Sequence, residues 1–83
     1  MYRILLVDDD PHIQAANEAF LKKNGYQIYR AENGADALAI ASTAALDAVV
    51  LDVDMPGMDG VSVCRRLREL SGVPVIFLSA YAQ

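Results

Sequence analysis

The stretch Arg3–Pro11, RILLVDDDP, decides how the rest of the chain is read. Arg3 to Val7 is a short apolar run without alternation, the pattern of a strand buried on both faces. Three aspartates, which are poor strand formers, end it. Asp10-Pro11 then has the chemistry of a helix start: a carboxylate at the N-cap accepts free backbone N–H groups, and proline suits the first helical position. A buried strand handing over to a helix through an acidic turn is the opening of a β-α unit.

Working outward, the same alternation repeats. Ile13, Ala16, Phe20 and Leu21 recur at helical spacing and predict the inner face of the first helix, with Gln14, Glu18 and Lys22 turned elsewhere. Lys22 and Lys23 favour the helix dipole, and Asn24-Gly25 supplies a left-handed stop. Residues 26–31 read as a second strand, more polar and therefore at an edge. Asn33-Gly34 opens an alanine-rich helix to about Ser42 with Ala37, Leu38 and Ala41 inward. Residues 48–51 form a third buried strand ending at Asp52, and residues 53–60, with Pro56, Gly57 and Gly60, read as a loop. A third helix from Val61 turns Val63, Cys64, Leu67 and Leu70 inward and stops at Ser71-Gly72. Pro74 precedes a fourth apolar strand, 75–78, followed by Ser79. The order β-α-β-α-β-α-β over residues 1–83, one domain, implies an α/β fold with a parallel sheet, helices on both faces and right-handed connections.

Composition narrows the function. The chain has 83 residues, 54% of them hydrophobic, and a net charge of −4. That is ample for a packed core and argues against disorder. With no basic stripe, direct nucleic-acid contact is not expected. The single cysteine forms no internal disulfide, and no apolar run is long enough for a signal peptide or membrane span. A cytoplasmic location is the simplest expectation.

The acidic residues gather in two knots, Asp8-Asp9-Asp10 and Asp52, Asp54, Asp59. Open parallel sheets bind ligands beyond the carboxyl ends of their strands, where strand order reverses. If strands one, three and four are neighbours, Asp8, Asp9, Asp52 and Ser79 share one rim. At about 4 Å and an effective dielectric near 20, each like-charged pair there costs roughly 4 kcal/mol before screening. Such a group takes up a proton or holds a cation. A hard, oxygen-seeking ion such as Mg²⁺ suits an all-carboxylate site. A carboxylate such as Asp52 can also act as nucleophile toward phosphorus. Asp10 is explained by capping alone, and Ser79 taken alone by turn formation. His12 reads as a surface residue, Cys64 as a small core residue, and Arg65, Arg66 and Arg68 as a solvated face.

Three segments carry a family likeness: Ile4 to Asp10 (ILLVDDD), Val49 to Gly60 (VVLDVDMPGMDG) and Pro74 to Ala80 (PVIFLSA). In sequence and order the chain resembles the receiver domain of two-component response regulators. The resemblance implies a flavodoxin-like, doubly wound parallel sheet with strand order 2-1-3-4 and three helices. It implies that Asp52 is the phosphoacceptor and that Mg²⁺ is held by Asp9, by Asp8 largely through water, by Asp52 and by the backbone carbonyl of Asp54. Ser79 would be the switch hydroxyl, with Ala80 beside it; Asp54 and Tyr81 would tune dephosphorylation. The donor would be a sensor histidine kinase or a histidine phosphotransfer protein, and the domain a phosphoacceptor rather than a turnover enzyme.

The family pattern continues for about another third of a domain, within the ordinary single-domain size. A fourth helix, a fifth strand and a fifth helix, with a phosphoryl-contacting lysine, are therefore expected beyond these residues. The 83-residue segment alone is expected to self-associate through the apolar edge 75–78 and to label and switch weakly. Two rivals remain. A haloacid-dehalogenase-type phosphatase also places Asp-x-Asp after an apolar strand, but Met55-Pro56-Gly57 is foreign to it and Asp8-Asp9 would go unexplained. The other is a receiver-like interaction module that takes no phosphate.

Overall fold

The computed structural model describes residues 1–52 and 60–78. In chain order the elements are β1 (Arg3–Val7), α1 (Pro11–Lys23), β2 (Gln27–Ala31), α2 (Gly34–Thr43), β3 (Ala48–Asp52), α3 (Gly60–Ser71) and β4 (Val75–Leu78). The four strands form one parallel sheet in the order β2-β1-β3-β4. This is the flavodoxin-like, doubly wound arrangement. The step from β1 to β2 runs one way across the sheet, whereas the steps from β2 to β3 and from β3 to β4 run the other. With right-handed crossovers, α1 therefore covers one face and α2 and α3 the opposite one. The reversal falls between β1 and β3, which makes the carboxyl ends of those two strands the place for a ligand.

The helix boundaries have local causes. Asp10 caps α1, accepting from the N–H groups of His12 (2.9 Å) and Ile13 (3.4 Å), with Pro11 in the first turn. Such a cap contributes about 1 kcal/mol. Gly25, at φ 90°, makes the left-handed exit that a side chain would resist. Asn33 caps α2: its Oδ1 accepts from the Asp36 N–H at 2.8 Å, while its amide donates back to the Asp36 carboxylate. Gly72, at φ 64°, ends α3, and its N–H donates to the Arg68 carbonyl at 3.0 Å.

The main core lies between the sheet and the α2–α3 layer. Leu5, Val7, Val49 and Leu51 meet Ala37, Ala41, Val63, Cys64 and Leu67 there. Alternation along β1 sends Leu5 and Val7 to this face and Ile4 and Leu6 to the other. The alanines at 37 and 41 let α2 approach the sheet closely.

Two readings of helix faces are corrected. On α1, Ile13 is 47% and Phe20 67% exposed, whereas Gln14, read as outward, is 1% exposed. The helix is rotated so that the Gln14 amide reaches the carbonyls of Leu6, Asp8 and Ala31. On α3, Leu70 is 51% exposed, because the inward stripe closes at Leu67. The third helix also begins at Gly60 rather than Val61. The predicted loop at residues 53–59 lies outside the described residues.

Candidate functional site at the carboxyl ends of β1 and β3

Parallel pairing of β1 with β3 sets Val7 opposite Leu51. One residue further along, the two strands deliver Asp8 and Asp52 to the same rim, and the turn into α1 adds Asp9. The sequence supplies this arrangement simply. Each strand is apolar to its last residue and turns acidic where it leaves the sheet.

One carboxylate oxygen each from Asp8, Asp9 and Asp52 lies within 4.8 Å of the others. Asp8 is buried, Asp52 half-buried and Asp9 exposed. The cup is therefore closed on its inner side and open toward solvent at Asp9. Asp8 is held at both its backbone and its side chain. Its N–H donates to the Ala31 carbonyl at 3.1 Å, and its Oδ1 accepts from the Asp10 N–H at 2.9 Å.

Burial raises the Asp8 carboxyl above its ordinary value of 3.8. The Asp10 N–H opposes that shift; the negative charges of Asp52 and Asp9 and a hydrogen bond with Asp52 reinforce it. Two carboxyl groups can share a hydrogen bond only if one carries a proton. Burial first, and then charge crowding, raise the proton affinity of the cup; the crowding is the condition a bound cation relieves. An all-oxygen donor set with an open side fits a hard divalent ion that keeps several waters.

Of the residues read from the sequence, the fold brings Asp8, Asp9 and Asp52 together. Asp10 is instead occupied as the α1 cap. Asp54, Asp59, Ser79, Ala80 and Tyr81 lie outside the described residues. His12 is exposed and Cys64 buried, in keeping with the roles expected for them. The residue missed was Gln14. It is buried and binds the end of β1, which leads into Asp8 and Asp9, together with the end of β2. Its signal in the sequence was a single polar position on a helix, indistinguishable there from a solvated one.

No helix among the described residues is long and apolar enough to cross a membrane. Residues 4–83 match the family described as the response regulator receiver domain. The transcriptional regulatory protein YrkP of Bacillus subtilis (strain 168) is 43% identical over 95% of this chain, which spans 34% of that protein. Response regulator TrrA of Thermotoga maritima, solved in complex with Mg(2+)-BeF, is 40% identical; the match has a TM-score of 0.91 and covers 99% of this chain and 72% of that one. A structure of histidine kinase ThkA in complex with TrrA also matches, at 39% identity and a TM-score of 0.90, covering 100% of this chain and 72% of its counterpart. A doubly wound sheet with its acidic cup at the switch point, and a family match over nearly every residue, lead to one conclusion: the chain belongs to the response regulator receiver domain family.

Proposed function

We propose that this receiver accepts a phosphoryl group on the Asp52 carboxylate, with Mg²⁺ as the cofactor. The observation that carries the reading is the convergence of the Asp52 carboxylate with those of Asp8 and Asp9 within 4.8 Å. In this reading an Asp52 oxygen attacks phosphorus, the P–N bond of a phosphohistidine breaks, and the imidazole departs, leaving an acyl phosphate. A bound divalent cation supplies charge neutralisation for the nucleophile and for the phosphoryl oxygens. Asp9, exposed and beside the opening, holds that ion directly. Asp8, deeper and anchored through Oδ1 to the Asp10 N–H, acts mainly through bound water. By the family resemblance the Asp54 carbonyl would be a further ligand and Ser79 the switch hydroxyl; both lie outside the described residues.

The donor is a sensor histidine kinase or histidine phosphotransfer protein in the cytoplasm, and the phosphorylated state switches an output. The domain retains the phosphoryl group rather than turning substrate over. The ThkA–TrrA complex, and the Mg(2+)-BeF bound to TrrA, support this by similarity.

The test is labelling by acetyl phosphate, followed by intact mass. The expected product carries one hydroxylamine-labile phosphoryl group, needs a divalent cation, and is absent from Asp52→Asn. Labelling that survives in Asp52→Asn, or that ignores a chelator, refutes the assignment. Continuous phosphate release with no retained label points instead to a phosphatase.

A further inference from the structure

We propose that Gln14 is a positioning residue for the acidic cup. It acts on cation binding by tying the end of β1, from which Asp8 and Asp9 follow, to the end of β2. The proposal rests on the reading of the cup as a divalent-cation site.

Gln14 is 1% exposed, and its amide nitrogen faces backbone carbonyls. Nε2 donates to the carbonyls of Ala31 (2.7 Å), Asp8 (2.9 Å) and Leu6 (3.1 Å). Oε1 accepts from Arg30 Nε at 2.7 Å. The chemistry fixes the amide's orientation: carbonyls only accept and a guanidinium only donates, so a flipped amide would oppose all four partners. Two amide hydrogens serve three acceptors, and the longest contact, to Leu6, is the shared one.

Ala31 ends β2, Asp8 follows the last residue of β1, and Leu6 lies one residue inside it. The Ala31 carbonyl also accepts from the Asp8 N–H, so the Gln14 amide joins the two strand ends as a second donor. Asp8 gains most. Its N–H is bound to Ala31, its carbonyl to Gln14, and its side chain to the Asp10 N–H. With both sides of the residue tied, the direction of its side chain toward Asp52 is set before any ion arrives. Arg30 holds the other end of the amide, and Glu18 holds Arg30 at 3.0 Å. A helix residue that touches no ligand thereby controls ligand geometry. Partners of this kind, one step removed from the ion, change metal affinity by about 10–100-fold when lost.

The experiment is calorimetric titration of the whole protein with Mg²⁺, below the melting temperature of each variant. It is paired with amide NMR shifts of Asp8 and Asp9 at saturation. Gln14→Glu keeps the shape but turns an oxygen toward three carbonyls; Gln14→Met keeps the length and removes every hydrogen bond. Both are expected to weaken Mg²⁺ binding by about tenfold or more and to alter the bound-state shifts of Asp8 and Asp9. Leu67→Val, in the core beneath α3, lowers stability and leaves the affinity unchanged. If the Gln14 variants do not fold, Arg30→Met decides, because it releases the amide oxygen and is expected to weaken binding to a lesser degree. Wild-type affinity in a folded Gln14 variant, or in Arg30→Met where that variant must decide, overturns the proposal alone. Absence of Mg²⁺ binding in the wild type overturns the cation reading as well.

Discussion

Replacing Asp8 by Asn has opposite consequences with and without a divalent cation. The three carboxylate oxygens of the cup are no more than 4.8 Å apart. At that separation and an effective dielectric of 20, each charged pair repels by roughly 3.5 kcal/mol before screening. Solvent reaches Asp9 and part of Asp52, so a net relief of about 1–2 kcal/mol is expected near neutral pH. Asn also keeps the local hydrogen bonds. Its carbonyl accepts from the Asp10 N–H, and its amide donates toward Asp52 without needing a proton.

Thermal unfolding in the presence of a chelator should therefore show the variant melting higher, by about 4–8 °C per kcal/mol for a domain of this size. The pH dependence has a defined sign. Between the ordinary value of 3.8 and the raised native one, the folded protein retains an Asp8 proton that the unfolded chain has released. Wild-type stability without cation thus falls as pH rises from about 3.8 through the raised native value. Below that window both states are protonated, and the variant's advantage disappears. With cation at about 100 times the wild-type Kd, the wild type gains about 2.7 kcal/mol, but a variant binding about tenfold more weakly gains only about 1.4. A variant that is less stable than wild type in chelator at neutral pH, or that gains as much from cation, refutes the reasoning.

Other outcomes follow from the packing and the ion pairs. Leu67 is fully buried between α3 and the sheet, and Leu67→Ala should cost about 2–5 kcal/mol in urea unfolding; a loss under about 1 kcal/mol would show that the α2–α3 layer is not the main core. Glu18 receives Lys22 at 2.8 Å and Arg30 at 3.0 Å. The hydrogen bond from Lys22, opposed by burial and aided by both cations, lowers its carboxyl below the ordinary 4.5. Its stabilisation is present above that value and is lost as pH falls through the lowered one. Glu18→Gln should cost up to about 1 kcal/mol at neutral pH and nothing in acid, read from melting curves across pH; a cost that persists in acid would contradict it.

Much of this fold was legible in residues 1–78, because each level of the sequence agrees with the next. The apolar runs at β1 and β3 are unalternated, as strands covered on both faces require. Asp10-Pro11 and Asn33-Gly34 mark helix starts by capping chemistry that operates within a few residues. Asp8, Asp9 and Asp52 could be placed on one rim because a parallel sheet puts all its carboxyl ends on one side. The α1 face was misread for a physical reason. Periodicity sorts residues by polarity, so Gln14 was turned outward and Ile13 and Phe20 inward. The contacts that go with the rotation are long-range: the Gln14 amide donates to the carbonyls of Leu6, Asp8 and Ala31, six to seventeen residues away. No local pattern encodes those contacts. Leu70 was misread similarly, because the helical stripe continues in sequence beyond the point where the layer ends in space.

The account stands on one shared cup formed by Asp8, Asp9 and Asp52, and a crystal grown with Mn²⁺ tests it most directly. The anomalous difference map should show a single peak among the three side chains, about 2.0–2.3 Å from an oxygen of Asp9 and of Asp52 and joined to Asp8 mainly through water. A map with no peak there, and with the Asp52 side chain directed away from Asp8 and Asp9, would contradict it.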